Sequence, residues 1–275
     1  MRLLTQNKIT LLLIILLSIG LTLSCSKEYD LEDGEYYVDG SWNFTDCKIE
    51  TPSDTYNYPL TPDSPDWANY SIKEIWQIDQ LPENVIDHIS TVGLIETCLT
   101  FPYYGDIGLS STGSYQYGFD YMVNNFNGFR ELLKRNNTPD LIYERYKFMT
   151  PSCIDNNWPS FIGRGKSIRM SFMAVEIVLA QYRILAKFNS DQLTEIAREA
   201  LTKYDQKNAA RYSLGNLQFT LVICGRILKI LNYQPFINEL EGNDHLNHFL
   251  DQVGLINIES LELIRIHTEN FLKGL

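Results

Sequence analysis

The sequence predicts an all-α protein, either an irregular multi-helix bundle or a short α-solenoid, preceded by an irregular N-terminal strap. Downstream of residue 70, apolar residues recur at helical spacing, and almost no stretch alternates as a half-buried strand does. Helix-start signals precede several of these apolar segments. Upstream of residue 70, proline, glycine and small polar residues are frequent, and such residues interrupt regular structure.

Helix-capping residues place the individual elements of this domain. Ser71 and Glu74 form a capping box, and Ser90 is positioned to cap the segment that follows it. Further helix starts are predicted at Pro82, at Thr138-Pro139-Asp140 and at Ser190-Asp191.

Two segments, 168–187 and 214–231, are apolar nearly all round and are predicted to be central helices. A helix that is apolar on every side is buried by other helices. Helix starts near 166, 190 and 213 recur at a spacing close to that of HEAT-type repeats, about 40–47 residues per helix pair. No repeated residue signature accompanies this spacing, so the bundle and the solenoid both stay open.

Composition limits the class of partner. The chain has 275 residues, of which 44% are hydrophobic and 21% charged, and its formal net charge is −11. These values are ordinary for a globular chain, and the length suits one large domain or two small ones. Nucleic-acid binding needs clustered lysine and arginine, so the acidic balance predicts that nucleic acid is not a partner.

Residues 1–24 have the composition of a signal peptide. Arg2 and Lys8 form a short basic region, and the run from Ile9 to Ser24 is uncharged and dominated by leucine and isoleucine. This run is too short for a typical membrane-spanning helix and suits the apolar region of a signal peptide. It ends with a small residue directly before Cys25, a pattern that resembles the lipobox of bacterial lipoproteins.

The lipobox resemblance implies that Cys25 is lipidated through its sulfur and becomes the first residue of the mature chain. Thr22 departs from the pattern, because the usual lipobox has leucine at that position. The alternative is an ordinary secretory signal with an incidental cysteine. The expected location is the outer membrane of a Gram-negative bacterium, with the protein held by lipid at the periplasmic face or the cell surface.

Residues 25–40 are predicted to form an acidic tether, and residues 41–70 the strap. The acidic cluster in the tether resembles the surface-export signal of some Gram-negative lipoproteins, and a solvated spacer is the alternative. The strap contains several aromatic residues, including Trp42 and Trp67, and is too apolar for a pure spacer. We therefore expect the strap to pack on the helical domain, residues 71–275.

The segment 101–135 is the most distinctive part of the chain. Its aromatic residues flank a long loop rich in glycine and serine, and loops of that length between helices often carry function. The candidate ligand-binding residues are Tyr103, Tyr104, Asp106, Tyr115 and Tyr117. The alternative, which we favour, is that the aromatic residues pack the helical core; these are Tyr103, Tyr104, Phe119, Tyr121 and Phe126.

Several motifs in this region resemble a family of uncharacterised, exported bacterial lipoproteins over about residues 60–150. The resemblance implies secretion and a helical body, but it supplies no activity and no catalytic residues. The motifs are Pro65-Asp66-Trp67, Tyr104-Gly105-Asp106-Ile107, Gly118-Phe119-Asp120, Phe126-Asn127-Gly128 and the charged segment 130–135.

His245 and His248 are candidate metal ligands. They are three residues apart on a predicted helix, so they share a face. Two imidazoles and a nearby carboxylate are able to bind zinc, but the zincin pattern needs a spacing of four with an intervening glutamate. An exposed helix edge is the alternative, and no cofactor is predicted.

Four of the five cysteines remain after Cys25. Cys98 and Cys224 lie on apolar helical faces and are expected to be buried free thiols. Cys47 and Cys153 lie in irregular segments, which makes them the candidate pair for a disulfide in an exported chain.

Glu176 lies in the first of the two central segments. A buried acid is either a tuned catalyst or one half of a structural ion pair. We favour the ion pair, with Arg183 or Arg226 as the expected partner.

These observations together predict a lipid-anchored binding module of the cell envelope or surface, whose ligand is a protein, a peptide or a glycan. No catalytic constellation is recognisable in the sequence, so a non-enzymatic role is favoured. One alternative is a hydrolase with a site assembled from distant residues such as Glu176, His245 and His248. A purely structural envelope protein is the other.

Overall fold

Thirteen α-helices build the described part of the chain in a computed structural model, which confirms the all-α prediction. The structure describes residues 40–42, 44–45, 48–104, 107, 113–151, 168–254 and 256–275. The predicted signal peptide, Cys25 and nearly all of the tether lie outside these residues, as do Cys47, Asp106 and Cys153.

The helices are numbered in chain order. They are α1 (Ile72–Ile78), α2 (Glu83–Ile86), α3 (Thr91–Leu99), α4 (Tyr115–Asn125), α5 (Asn127–Leu132), α6 (Thr138–Phe148), α7 (Ile168–Leu179), α8 (Tyr182–Leu185), α9 (Ser190–Ala209), α10 (Leu214–Ile230), α11 (Gln234–Glu241), α12 (Asp244–Gln252) and α13 (Ile258–Lys273). The strap contributes an antiparallel hairpin of β1 (Phe44–Thr45) and β2 (Lys48–Ile49), and it ends in a 3-10 helix, Trp67–Asn69.

The predicted caps begin the helices that they precede. The Ser71 hydroxyl accepts a hydrogen bond from the Glu74 backbone, and the Glu74 carboxylate accepts one from the Ser71 backbone at 2.8 Å. The Ser90 hydroxyl accepts a hydrogen bond from the Gly93 backbone at 3.0 Å. The predicted starts of α2 and α6 differ from the structure by one residue, whereas α9 begins at Ser190 as predicted, with Asn189 as its cap.

Helix α10 lies at the centre of the helical body. It packs against α7, α9, α11, α12 and α13, and every residue from Leu217 to Leu228 is buried. The prediction that this helix is surrounded by others is confirmed. Among the described residues no single helix has the length and apolarity of a membrane span; α10 and α11, which meet at a bend of 104°, pass that test only as a pair.

The other predicted central segment, residues 168–187, is predicted to be one helix, but in the structure it is two. Helix α7 ends at Leu179, and α8 begins at Tyr182. The Gln181 side chain donates to the Ile177 carbonyl at 2.8 Å, and the Arg226 guanidinium donates to the Ala180 carbonyl at 2.8 Å. These side chains satisfy carbonyls that lack helical partners at the break.

The strap packs on the helical body through aromatic side chains. The Trp42 indole donates to the Leu141 carbonyl at 3.2 Å. The Tyr58 hydroxyl donates to the Thr97 carbonyl at 2.8 Å, and Leu60 is buried in the same core as the helices. The strap is therefore part of the same hydrophobic core as the helices.

Candidate functional site

The structure separates the candidate ligand-binding tyrosines. Tyr104 is fully buried, and its hydroxyl donates to the Ala174 carbonyl at 2.8 Å, so it is a core residue. Tyr115 is half-buried, with its ring edge on to that of Phe219. Tyr103 is also buried, with 8% of its surface exposed, which confirms that it packs in the core, whereas Tyr117 is 52% exposed.

Tyr103 belongs to a group of aromatic rings that joins the strap to the helices. Its ring stacks on that of Trp76 from α1, with the centroids 5.5 Å apart and the planes at 16°. The Trp67 ring, from the strap, lies 5.4 Å away on centroids. The ring of Tyr121, from α4, meets Trp76 edge to face at 5.6 Å.

This group extends into an exposed apolar strip. Helical spacing places Ile72 one turn before Trp76 on α1 and Tyr117 one turn before Tyr121 on α4. Ile72 is 64% exposed, Tyr117 52% and Tyr121 48%. We call these six residues, Trp67, Ile72, Trp76, Tyr103, Tyr117 and Tyr121, the aromatic patch. The expectation that Tyr121 packs in the core is wrong, because its side of α4 faces outward.

Buried aromatic residues support the aromatic patch from below. Phe101 stacks on Phe126 with centroids 4.3 Å apart and planes at 14°, and it also lies 4.8 Å from Trp76. The Gln80 amide donates to the Trp76 carbonyl at 2.6 Å and to the Asn125 carbonyl at 2.9 Å. The ends of α1 and α4, the two helices that carry four residues of the patch, are thereby tied together.

Glu176 has a different partner from the two predicted. Its carboxylate accepts hydrogen bonds from the Lys207 ammonium at 2.6 and 2.7 Å, and both side chains are fully buried. Burial raises the pKa of Glu176 and lowers that of Lys207, whereas the attraction within the pair opposes both shifts. The structural ion pair is therefore confirmed, but its cation is Lys207 and not Arg183 or Arg226.

A second buried polar group is organised by Arg226 on α10. Its guanidinium donates to the carbonyls of Ala180 and Leu250, each at 2.8 Å, and to the Gln116 side chain at 3.0 Å. Between this group and Glu176 lies a cavity of about 10 Å³. That volume suits about one water molecule, so the cavity is too small for a substrate.

The two candidate metal ligands lie exposed on α12. Within the described ranges, no three histidine, cysteine, aspartate or glutamate side chains come together in a way that would hold a metal ion. His245 lines an open groove of about 330 Å³, but the amide side chains at its rim, Asn243 and Asn257, already cap α12 and α13. The structure therefore brings no third ligand to His245 and His248 from the residues that it describes.

Cys98 and Cys224 are buried free thiols, as predicted. Burial raises the pKa of both thiols, that of Cys224 to about 12. Because the thiolate is the nucleophile, neither cysteine is suited to covalent chemistry near neutral pH.

No family model, no curated protein and no solved structure matches the chain. The resemblance to exported lipoproteins thus stays a prediction. Of the surfaces described above, the aromatic patch is the candidate functional site, because three exposed apolar residues there adjoin a packed group of aromatic rings.

Proposed function

We propose that the protein is a lipid-anchored binding module of the outer membrane, and that it holds its ligand on the aromatic patch. The observation that supports this proposal is the exposure of Ile72, Tyr117 and Tyr121 around the half-buried ring of Trp76, which Tyr121 meets edge to face. Exposed apolar surface in a connected patch marks interaction sites, whereas single exposed apolar residues are ordinary.

The ligand that the aromatic patch suits best is a glycan. Tryptophan and tyrosine offer flat apolar faces together with polar N–H and O–H groups at their edges. A stable protein partner usually covers about 800 Å² on each side, which is 20–30 residues and far more than the six of the patch. A small ligand with a flat apolar face and a rim of hydroxyls, as a sugar ring has, matches the size and chemistry of the patch.

Binding is expected to depend on Tyr121. Replacing Tyr121 with alanine is expected to weaken glycan binding by about tenfold, since an aromatic contact contributes about 0.5–1.5 kcal/mol beyond the area it buries. The measurement is a glycan-array screen of purified protein, followed by titration of the best glycan against wild type and variant.

Phe148 supplies the matched control for this experiment. It is 50% exposed on α6 and lies outside the aromatic patch, so Phe148→Ala should bind as wild type does. Equal binding by the Tyr121→Ala variant and wild type contradicts the proposal. If the protein binds a peptide array through the patch and does not bind glycans, the ligand is a peptide and the proposed glycan is wrong.

The membrane attachment is expected to depend on Cys25. The lipobox pattern motivates this part of the proposal, along with the resemblance to exported lipoproteins. Cys25→Ala is expected to abolish incorporation of radioactive fatty acid and to release the protein from the membrane fraction, because the acyl chains supply the attachment. A Cys98→Ala variant should retain the label. Labelling that persists in the Cys25→Ala variant shows that the anchor is elsewhere.

A further inference from the structure

Asp79 is a buried acid beneath the strap. It follows α1 as its C-terminal cap, and its side chain is fully buried. Neither carboxylate oxygen has a hydrogen-bond partner among the described residues. Burying a charge without a partner is costly, so this site favours a neutral carboxyl group.

The titratable groups that face Asp79 give it no counter-charge. Tyr56 and Tyr58 face it from the strap, and behind Tyr58 lies Cys98 on α3. Burial raises the pKa of all three groups, so each is uncharged near neutral pH. In the part of the chain that the structure describes, no cation acts on the Asp79 carboxyl.

The same burial raises the pKa of Asp79 to about 7. The backbone N–H of Leu60, also on the strap, acts in the opposite direction, although the two groups are not in hydrogen-bond geometry. Asp79 therefore changes charge near neutral pH, at the seam between the strap and the helices.

We propose that Asp79 is a pH-sensitive latch for strap residues 56–60. When the carboxyl is protonated, the strap lies closed over α1 and α3. When it is ionised, the strap lifts so that water can reach the carboxylate. Two hydrogen bonds to Thr97 hold this segment, from the Tyr56 backbone at 2.9 Å and from the Tyr58 hydroxyl at 2.8 Å. Opening also separates the Tyr58 ring from those of Phe101 and Phe126 and exposes Leu60. The proposal does not depend on the proposed glycan function.

The direction of the pH dependence follows from the raised pKa. The closed state keeps a proton that the open state releases, because the exposed carboxyl has its ordinary pKa of about 4. The equilibrium constant for closing the strap is largest below that ordinary pKa. It falls by up to about tenfold per pH unit as the pH rises toward 7. Above about pH 7 the carboxyl is ionised in both states, so the dependence levels off.

Hydrogen exchange of the full chain between pH 5 and 8.5 tests the latch. Rates are corrected for the intrinsic pH dependence of amide exchange. Protection of peptides covering residues 54–62 should fall by up to about tenfold per unit as the pH rises to about 7, and then level off. Peptides from α10 should keep their protection, which separates strap opening from global unfolding.

Asp79→Asn, which is neutral at every pH, should keep the strap protected across the range. Asp87→Asn, at an exposed site, should follow wild type. The proposal is overturned if strap protection in wild type does not change with pH, or if Asp79→Asn keeps the wild-type dependence. If the Asp79→Asn chain fails to fold, the wild-type protein alone tests the proposal. The test is then whether protection of the strap peptides changes with pH while that of the α10 peptides does not.

Discussion

Replacing Lys207 with methionine is expected to destabilise the protein by about 3–5 kcal/mol, because the change leaves the Glu176 carboxylate buried without its cation. The side chains of both residues are completely inaccessible, and the Lys207 ammonium lies 2.6 and 2.7 Å from the two carboxylate oxygens. Methionine matches the length and apolar body of lysine, so most of the effect is electrostatic and little of it comes from lost packing.

The ion pair is embedded in a ring of hydrogen bonds that joins four helices. The Thr220 hydroxyl, on α10, donates to Glu176 at 2.7 Å and accepts from Lys207 at 2.9 Å. The Tyr146 hydroxyl, on α6, donates to Glu176 at 3.3 Å. Since Glu176 is on α7 and Lys207 on α9, losing the cation weakens the contact among all four helices.

A double replacement separates the buried charge from the loss of lysine itself. Glu176→Gln with Lys207→Met removes both charges and leaves a neutral amide for Thr220 and Tyr146, so much of the lost stability should return. Urea unfolding followed by circular dichroism measures the cycle. Lys229→Met is the control, because its pair with Asp251 is solvent-exposed and is expected to contribute about 0–1 kcal/mol. A Lys207→Met variant no less stable than Lys229→Met would contradict the expectation.

The partner of Glu176 was missed in the sequence although a signal for it exists. Helix α9 was predicted from its apolar residues at helical spacing, and that prediction is confirmed. Lys203 lies about one turn after Ala200 and Lys207 two turns after it, so both are in phase with that apolar stripe. Both lysines are buried. A charged residue in phase with a buried stripe is therefore itself a signal of a buried ion pair, whereas which acid it meets depends on the packing of other helices.

The aromatic patch shows a different limit of sequence reasoning. Tyr103 and Tyr117 were identified from their place beside a long loop, which is local information. Trp76 and Trp67 were not linked to them, because those residues come from α1 and the strap and meet Tyr103 only in the folded chain. The outward orientation of Tyr121 was missed for a related reason: spacing alone does not decide which side of α4 faces the core, and Phe119 takes that side.

The break between α7 and α8 has one local contribution, the hydrogen bond from the Gln181 side chain to the Ile177 carbonyl, but no residue that breaks helices. Neither glycine nor proline occurs from Ile177 to Leu185, so helix propensity predicts continuation. The Arg226 guanidinium also stabilises the break. It lies 46 residues further along the chain and donates a hydrogen bond to the Ala180 carbonyl. The sequence alone does not reveal this, because the Arg226 guanidinium reaches the Ala180 carbonyl only once α10 has packed beside α7.

Replacing Arg226 with methionine is accordingly expected to destabilise the protein by about 3 kcal/mol or more, since hydrogen bonds from a charged group contribute about 1.5–3 kcal/mol and buried carbonyls would be left unpaired. The guanidinium holds the break at Ala180, the end of α12 at Leu250 and the Gln116 side chain on α4 at once. Burial lowers its pKa, yet arginine remains charged at any pH at which the protein is folded.

Arg226→Lys separates charge from geometry. Lysine keeps the positive charge but is a point donor, and it cannot reproduce the planar fork that reaches several carbonyls. An intermediate loss of stability is therefore expected, with hydrogen-exchange protection falling first around residues 180–182 and 250–253. Arg198→Met, at an exposed site on α9, should change stability by no more than about 0.5 kcal/mol. If Arg226→Lys is as stable as wild type, the charge suffices and the fork geometry is not what fixes the break between α7 and α8.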